Sequence, residues 1–205
     1  MHNRRLTVLA VFGVGLLTIL AACSLPAAPT TAARNSNSSE VGSTGAARYS
    51  QVDVAFAQMM IIHHVEATDL AGLAQQTSSN RQVRELAERI NAAKGPQINL
   101  MRGWLEAWGA PAPEDSNISG MAQAGMVIGE VDQEAAMNTL LKLDGTAFDK
   151  KFLSLMVAHH RQSLTMATRQ VSDGQNALAV ELAKSIIFTQ QSEIAEMQSL
   201  LRKIR

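Results

Sequence analysis

Asp53-Val54-Ala55-Phe56-Ala57-Gln58-Met59-Met60-Ile61-Ile62-His63-His64 returns 96 residues later as Asp149-Lys150-Lys151-Phe152-Leu153-Ser154-Leu155-Met156-Val157-Ala158-His159-His160. The offset holds without a gap to the end of each copy. Asp53/Asp149, Phe56/Phe152, Met60/Met156, both His-His pairs and Ala71/Ala167 match in the first helix of each copy. Leu86/Leu182, Ala87/Ala183, Ile90/Ile186, Ile98/Ile194, Met101/Met197 and Leu105/Leu201 match in the second. Four of the five histidines sit in the two pairs, and the fifth, His2, lies in a segment expected to be removed. The histidines therefore belong to whatever the duplication keeps, a core, a site, or both.

Working outward, everything from Ser50 on reads helical. Phe56, Met60, His63, Ala67 and Leu70 follow the 3-4 spacing of a core-facing stripe, as do Phe152, Met156, His159, Ser163 and Met166. Ser78-Ser79-Asn80 breaks the first hairpin and supplies a cap for a helix over about 81–108. Ser172-Asp173-Gly174 breaks the second. No β-branched run alternates with period two, so no sheet is expected. Two αα-hairpins bury their apolar stripes by pairing, which predicts an all-α, four-helix bundle with a short connecting helix at about 133–142, before the Asp144-Gly145 turn. Repeat 1 spans 53–109, a linker with Pro111, Pro113 and the Gly- and Met-bearing stretch Ser119–Gly129 spans 110–147, and repeat 2 spans 148–205. Gly95-Pro96 predicts a kink or short break near 92–95. Phe56, Phe152, Leu86, Leu182, Ile90, Ile186, Ile98 and Ile194 are expected to share one core.

The N-terminus reads as a processing signal over residues 1–22. Arg4 and Arg5 form a positive start, Leu6–Leu20 an apolar stretch too short for a typical membrane span, and Leu20-Ala21-Ala22-Cys23 a lipobox. Cys23, the one cysteine of the chain, is then the acylated mature terminus, so no disulfide framework is available. Residues 23–49, rich in Ser, Thr, Ala, Pro and Asn, read as a flexible tether, and the stretch 50–205 as one domain. The localisation expected is export, with a lipid anchor to the membrane and the domain facing outward. Loss of Arg4 and Arg5 leaves 16 basic against 18 acidic residues, and no basic patch is interleaved with aromatics, so nucleic acid is not an expected partner.

Adjacent residues on a helix point about 100° apart, so the two histidines of a pair cannot both face one narrow site. Met60 and Met156 lie one turn before their pairs, within reach of either imidazole. Met59 stacks above His63 in the same way. Imidazole nitrogen and thioether sulfur from one helical turn form a ligand set for copper, with Cu(I) favoured by the sulfur. The competing reading is a set of packed core histidines and methionines. Asp53 and Asp149 read as first-turn or N-cap residues at least as readily as ligands. Glu66 has no counterpart, since Gln162 stands in the second copy. Gln190 and Glu193 are placed to support the second pair from the last helix, where the first copy has Lys94 and Gln97. No Glu-x-x-His turn occurs, which disfavours a di-iron oxidase, and no Ser-His-Asp or Cys-His nucleophile can be assembled.

Phe148-Asp149-x-x-Phe152-x-x-x-Met156-x-x-His159-His160, followed by Met166-Ala167 and by Gln190-x-x-Glu193-Ile194-x-x-Met197, resembles the bacterial exported family filed as domain of unknown function 305. The resemblance covers about residues 50–205. It implies a ferritin-like helical bundle, an envelope location and, for some relatives, copper binding or tolerance. Position by position it puts weight on His63, His64, His159, His160, Met60 and Met156, with Gln190, Glu193 and Met197 in support. Lys94 and Gln97 depart from the pattern in the first copy.

These readings point to an exported lipoprotein that holds copper for buffering, delivery or tolerance, with the membrane and an envelope metal-handling protein as partners. The alternative is a non-catalytic adaptor whose histidines are core. On the copper reading the second copy is the stronger site, because Lys94 brings positive charge near the first. Affinity is expected to fall as pH drops through the ordinary imidazole range, about 6.5.

Overall fold

The computed structural model describes residues 48–113 and 132–204. The signal segment, Cys23, the tether up to residue 47 and the Ser119–Gly129 stretch lie outside the described residues. Within them the chain is all-α: α1 (Gln51–Thr77), α2 (Arg81–Ala107), a short α3 (Gln133–Leu140), α4 (Gly145–Asp173) and α5 (Ala177–Lys203). Among the described residues no helix is long and apolar enough to cross a membrane. α1 packs on α2 and α4 on α5, as the two hairpins require, and the hairpins meet through α1 and α4.

The helix starts follow from their caps. Ser50 closes a capping box on α1, its hydroxyl accepting from the Val52 and Asp53 amides while its own N–H donates to Asp53 Oδ2 at 2.7 Å. Asn80 and Asn176, equivalent in the repeat, cap α2 and α5. α4 starts at Gly145, three residues before the expected repeat boundary, at a positive φ of 49° that suits glycine. Residues 48 and 49, assigned to the tether from sequence, are already bonded to the bundle. Asn176 Nδ2 donates to the Arg48 carbonyl, and Tyr49 stacks on Trp108 while its hydroxyl donates to the Trp108 carbonyl at 2.9 Å.

Of the kink or short break expected near 92–95, the break does not occur: α2 runs unbroken through Pro96. Pro96 and Ala92 are both exposed, so water can replace the hydrogen bond that the proline removes.

The single core expected from sequence is instead two. One apolar cluster gathers the C-terminal half of α1, the N-terminal half of α2, α3, the start of α4 and the end of α5. Leu86, Ile90, Phe152, Met156 and Met197 lie in it, with Ile194 against it. The other gathers the opposite ends, with Phe56, Met60, Met101 and Ile186, and with Ile98 and Leu182 against it. α1 and α4 run antiparallel, so each cluster takes the start of one and the end of the other. Leu182 is only partly buried, unlike its counterpart Leu86. Between the two clusters lies a polar layer built around the histidines.

The duplicated aspartates tie the hairpins together crosswise. Asp53 accepts from Gln170 Nε2 at 2.6 Å and from the Gln175 and Asn176 amides, all at the α4–α5 turn. Asp149 accepts from the Ser78 hydroxyl at the α1–α2 turn. A Cβ at Gly174 would run into the Gln170 side chain and carbonyl, so the glycine is what lets Gln170 fold across to Asp53. Burial raises the Asp53 pKa, but the bonds from Gln170, Asn176 and Ser50 outweigh it and hold the carboxyl below its ordinary value.

Candidate metal centre

The 100° between adjacent helical side chains divides the work within each pair. His63 and His159 point across the α1–α4 interface and meet, with ring centroids 3.6 Å apart and planes tilted by 31°. His64 and His160 turn back toward their own hairpin mates. His64 Nε2 bonds Gln97 Oε1 at 2.7 Å, and His160 Nε2 bonds Glu193 Oε2 at 2.7 Å. Each link spans the same 33 residues, so the two halves are built alike. Gln97 thus does for the first pair what Glu193 does for the second. The two histidine pairs lie in one continuous layer, because the central histidines of both repeats touch.

All four histidines are buried. A carboxylate only accepts, so His160 carries its proton on Nε2 and its lone pair on Nδ1; the Gln97 carbonyl oxygen sets the same tautomer in His64. His64 Nδ1 and both ring nitrogens of His63 and His159 have no hydrogen-bond partner within the protein. Glu66 Oε2 lies 3.5 Å from His159 Nε2, too far for a good hydrogen bond. Buried polar atoms left in this way are costly unless something else satisfies them.

Electrostatics hold His63, His64 and His160 neutral. Burial drives His63 well below the ordinary 6.5, and the neighbouring imidazoles and Lys94 push the same way. Burial lowers His64 likewise, then Lys94, against the opposing hydrogen bond to Gln97. Burial lowers His160 to about 4 even though Glu193 pulls it up. Glu193 is itself raised by burial, but its bond to His160 and the charges of Lys94 and Arg89 leave it below its ordinary value. Burial thus keeps these three imidazoles neutral to a lower pH than the ordinary 6.5.

Met60 and Met156 are fully buried one turn before the pairs, and each belongs to a different apolar cluster, so the thioethers border the layer from its two sides. Ser163 donates to Met60 Sδ at 3.4 Å from across the interface. The position equivalent to Ser163 is Ala67, which offers no hydroxyl to Met156. Gln190 is buried one turn before Glu193, and Met197 one turn after it, within the apolar cluster that holds Met156. Asp53 and Asp149 are remote from the layer and serve the turns. Among the described residues, no three His, Cys, Asp or Glu side chains are grouped to hold an ion by themselves. Imidazole nitrogens together with the Met60 and Met156 thioethers would make a donor set suited to a soft ion.

The roles of two residues, and the reach of a third, escape a reading of the sequence alone. Glu66, which lacks a counterpart in the repeat, reaches His159 of the other half; its His63-x-x-Glu66 spacing is the available signal. Ser163 reaches Met60. Lys94 is 3% exposed and acts on His64, His63 and His160 alike, so its charge is not confined to the first repeat.

Residues 53–201 match the family described as Domain of unknown function (DUF305). Among solved structures, the fold is similar to a DUF305 protein from Streptomyces coelicolor described as secreted, with TM-score 0.66 and 30% identity over 74% of this chain and 93% of that one. A DUF305 fragment from Deinococcus radiodurans gives TM-score 0.64 and 30% identity, covering 76% of this chain and 98% of that one. CopM in its Cu(II)-bound form shares the fold, with TM-score 0.61 and 24% identity over 74% of this chain and 96% of that one. A shorter likeness, 40% identity over 53 residues, links 26% of the chain to 35% of an uncharacterized protein, L153, of Acanthamoeba polyphaga mimivirus. With most of its length matched to the family and its helical bundle shared with solved members, this chain belongs to the DUF305 family.

Proposed function

We propose that this chain is an exported copper-binding protein, anchored through an acylated Cys23, that takes up Cu(I) in its histidine layer for buffering, delivery or tolerance. The observation that carries the reading is the set of buried imidazole nitrogens without hydrogen-bond partners, bordered by Met60 and Met156. His63, His64, His159 and His160 would hold the ion with the two thioethers. Gln97 and Glu193 fix the tautomers, Gln190 lies beside Glu193, and Met197 packs behind Met156. A bound copper ion would supply the electrophile that satisfies these lone pairs. Support comes from relatives of the same fold: CopM has been solved in Cu(II)-, Cu(I)- and Ag-bound forms, and a 30% identical neighbour is described as secreted. An envelope protein that passes copper on is the partner this reading calls for.

A Cu(I) competition titration of the full chain tests it. His63→Ala/His64→Ala and His159→Ala/His160→Ala should each weaken binding at least about a hundredfold, as expected when ligands are removed, with circular dichroism showing that each variant stays folded. Equal binding in all three proteins would refute the ligand set. The stacked His63 and His159 rings favour one other reading, a purely structural histidine layer in an adaptor. A wild-type chain that takes up no metal would decide for it. Retained membrane fractionation and maturation in Cys23→Ala would refute the anchor.

A further inference from the structure

We propose that the groove between the N-terminal half of α1 and the C-terminal half of α4 is a docking site for a short amphipathic helix of another protein. The inference does not depend on whether the histidine layer holds a metal. The duplication carries it, because the matching groove, between the C-terminal half of α1 and the N-terminal half of α4, is filled by α3. There α3 starts beside Glu66, whose carbonyl accepts from Gln133 Nε2 at 3.1 Å, and ends just before α4 begins at Gly145. Asp149, near the start of α4, bonds Ser78 at the end of α1, so α3 runs parallel to α1. Ala136 and Leu140 of α3 join Leu70, Phe148 and Phe152 in one apolar cluster, with Met137, Leu73 and Leu155 packed against it. Exchanging the two copies, 96 residues apart, carries Leu70, Leu73, Phe148, Phe152 and Leu155 to Met166, Arg169, Val52, Phe56 and Met59. Those five residues line a groove of about 340 Å³, with Ala55 on one wall and Thr165 on the other.

The chain has no second α3 to offer. The place before α1 that matches α3 before α4 is residues 37–44, Asn-Ser-Ser-Glu-Val-Gly-Ser-Thr, with a single apolar side chain. A second copy fits poorly too, since nine described residues line the groove against roughly 20–30 a side in a stable dimer. A helix laid as α3 is laid would run parallel to α4 and bring its C-terminal turn to Arg169, which stands where the twin groove has Leu73. The exposed guanidinium, 3.9 Å from Asp173, complements the negative end of a helix. Gln170 also lines the groove and is fully buried. Its amide nitrogen is committed to Asp53, while its Oε1 is buried with no hydrogen-bond partner. The twin of Gln170 is Ala74, so the groove that α3 fills has no such acceptor to satisfy. The partner that fits is a helix of about two turns with apolar residues four apart, as Ala136 and Leu140 are. It carries a hydrogen-bond donor for Gln170 in its last turn and an acidic or free carboxyl end over Arg169. Met59 lies one turn before His63, so a partner seated here abuts the histidine layer.

The probe is the chain's own α3 as a separate, dye-labelled peptide of residues 132–141, with a free carboxyl end. A staple across the exposed Glu134 and Asn138 positions holds it helical. Its fluorescence anisotropy is followed as the full chain is added. The wild type should bind it saturably. Ala55→Trp and Thr165→Trp, one from each wall, fill the groove and should each weaken binding at least about tenfold, as losing a central contact does. Arg169→Glu should weaken it about fivefold, the scale of reversing a charge at a helix terminus, and less when the peptide carboxyl is amidated. Circular dichroism checks that the variants stay folded, and if one wall variant unfolds the other decides. No saturable binding up to about 1 mM would overturn the proposal. So would binding that survives the wall substitutions, as it would if the peptide merely displaced α3, or binding indifferent to Arg169→Glu. Sedimentation of the chain alone tests the other occupant: a dimer that the wall substitutions abolish would assign the groove to a second copy and overturn the proposal as well. No arm reads copper, so failure here leaves the copper reading where it stands.

Discussion

In the first repeat a neutral amide, Gln97, holds His64; in the second a carboxylate, Glu193, holds His160, and both bonds are 2.7 Å long. Placing the ring needs only an acceptor at that point, and either side chain supplies one. What changes between the halves is charge: Lys94 against Gln190, Gln97 against Glu193, and Glu66 against Gln162. Duplicated geometry with unequal charge separates what the fold requires from what one half adds.

The same comparison can be broken at the crosswise aspartates, where the largest stability effect is expected. Asp53 serves Gln170, two turn amides and its own cap, whereas Asp149 serves the Ser78 hydroxyl. Asp53→Ala should cost about 4 kcal/mol and Asp149→Ala about 2 kcal/mol, because the first strands several buried donors and the second one hydroxyl. Urea unfolding of the two variants checks this, and equal losses would mean that the turn amides find other acceptors.

Acid should act next. His160 titrates near 6.5 when unfolded and at about 4 when folded, so the unfolded state takes up its proton first. The stability present above pH 6.5 is lost as pH falls toward 4, by about 3 kcal/mol for this residue. His63 and His64 shift the same way and steepen the loss. The depressed carboxylates Asp53 and Glu193 add their own loss only at lower pH, below the ordinary carboxyl range. Unfolding free energies that are flat between pH 7.5 and 4.5 would contradict neutral buried histidines.

A smaller difference is expected at Leu86 and Leu182. The first is fully buried and the second packs only partly against its cluster. Leu86→Ala should cost about 3 kcal/mol and Leu182→Ala about 1 kcal/mol, as read from urea unfolding. The smallest effect belongs to Arg89→Ala, which removes an exposed pair with Glu196 and should cost less than about 1 kcal/mol, vanishing in high salt.

Much of the bundle is legible in the residues themselves. The 96-residue offset, the 3-4 stripes and the Asn80 turn predict the hairpins, and the His-His pairs mark the layer. Periodicity says which face of a helix is buried but not how far one hairpin slides along the other. For that reason the split of the apolar stripe into two clusters, and the contact between His63 and His159, cannot be read from spacing. The reach of Lys94 is obscured for a related cause: lysine is rarely buried without a partner, and its partner Glu193 lies on another helix, 99 positions away. Glu66 lacks a repeat equivalent, which counts against it in sequence, yet an unequal residue is what a pseudo-symmetric site uses to become unequal. Pro96 does not break its helix because it faces water, and the dipeptide Gly95-Pro96 carries no sign of which way it points.

The reciprocal reach of Asp53 and Asp149 carries a consequence for how such a molecule can be varied. Two identical hairpins could satisfy the same crosswise bonds about a true twofold axis, as a homodimer. A homodimer, however, must place every side chain in its central layer twice: two lysines or none, two Glu66 carboxylates or none. Joining the hairpins in one chain lifts that restriction, and single substitutions then tune the layer's charge in steps of one rather than two.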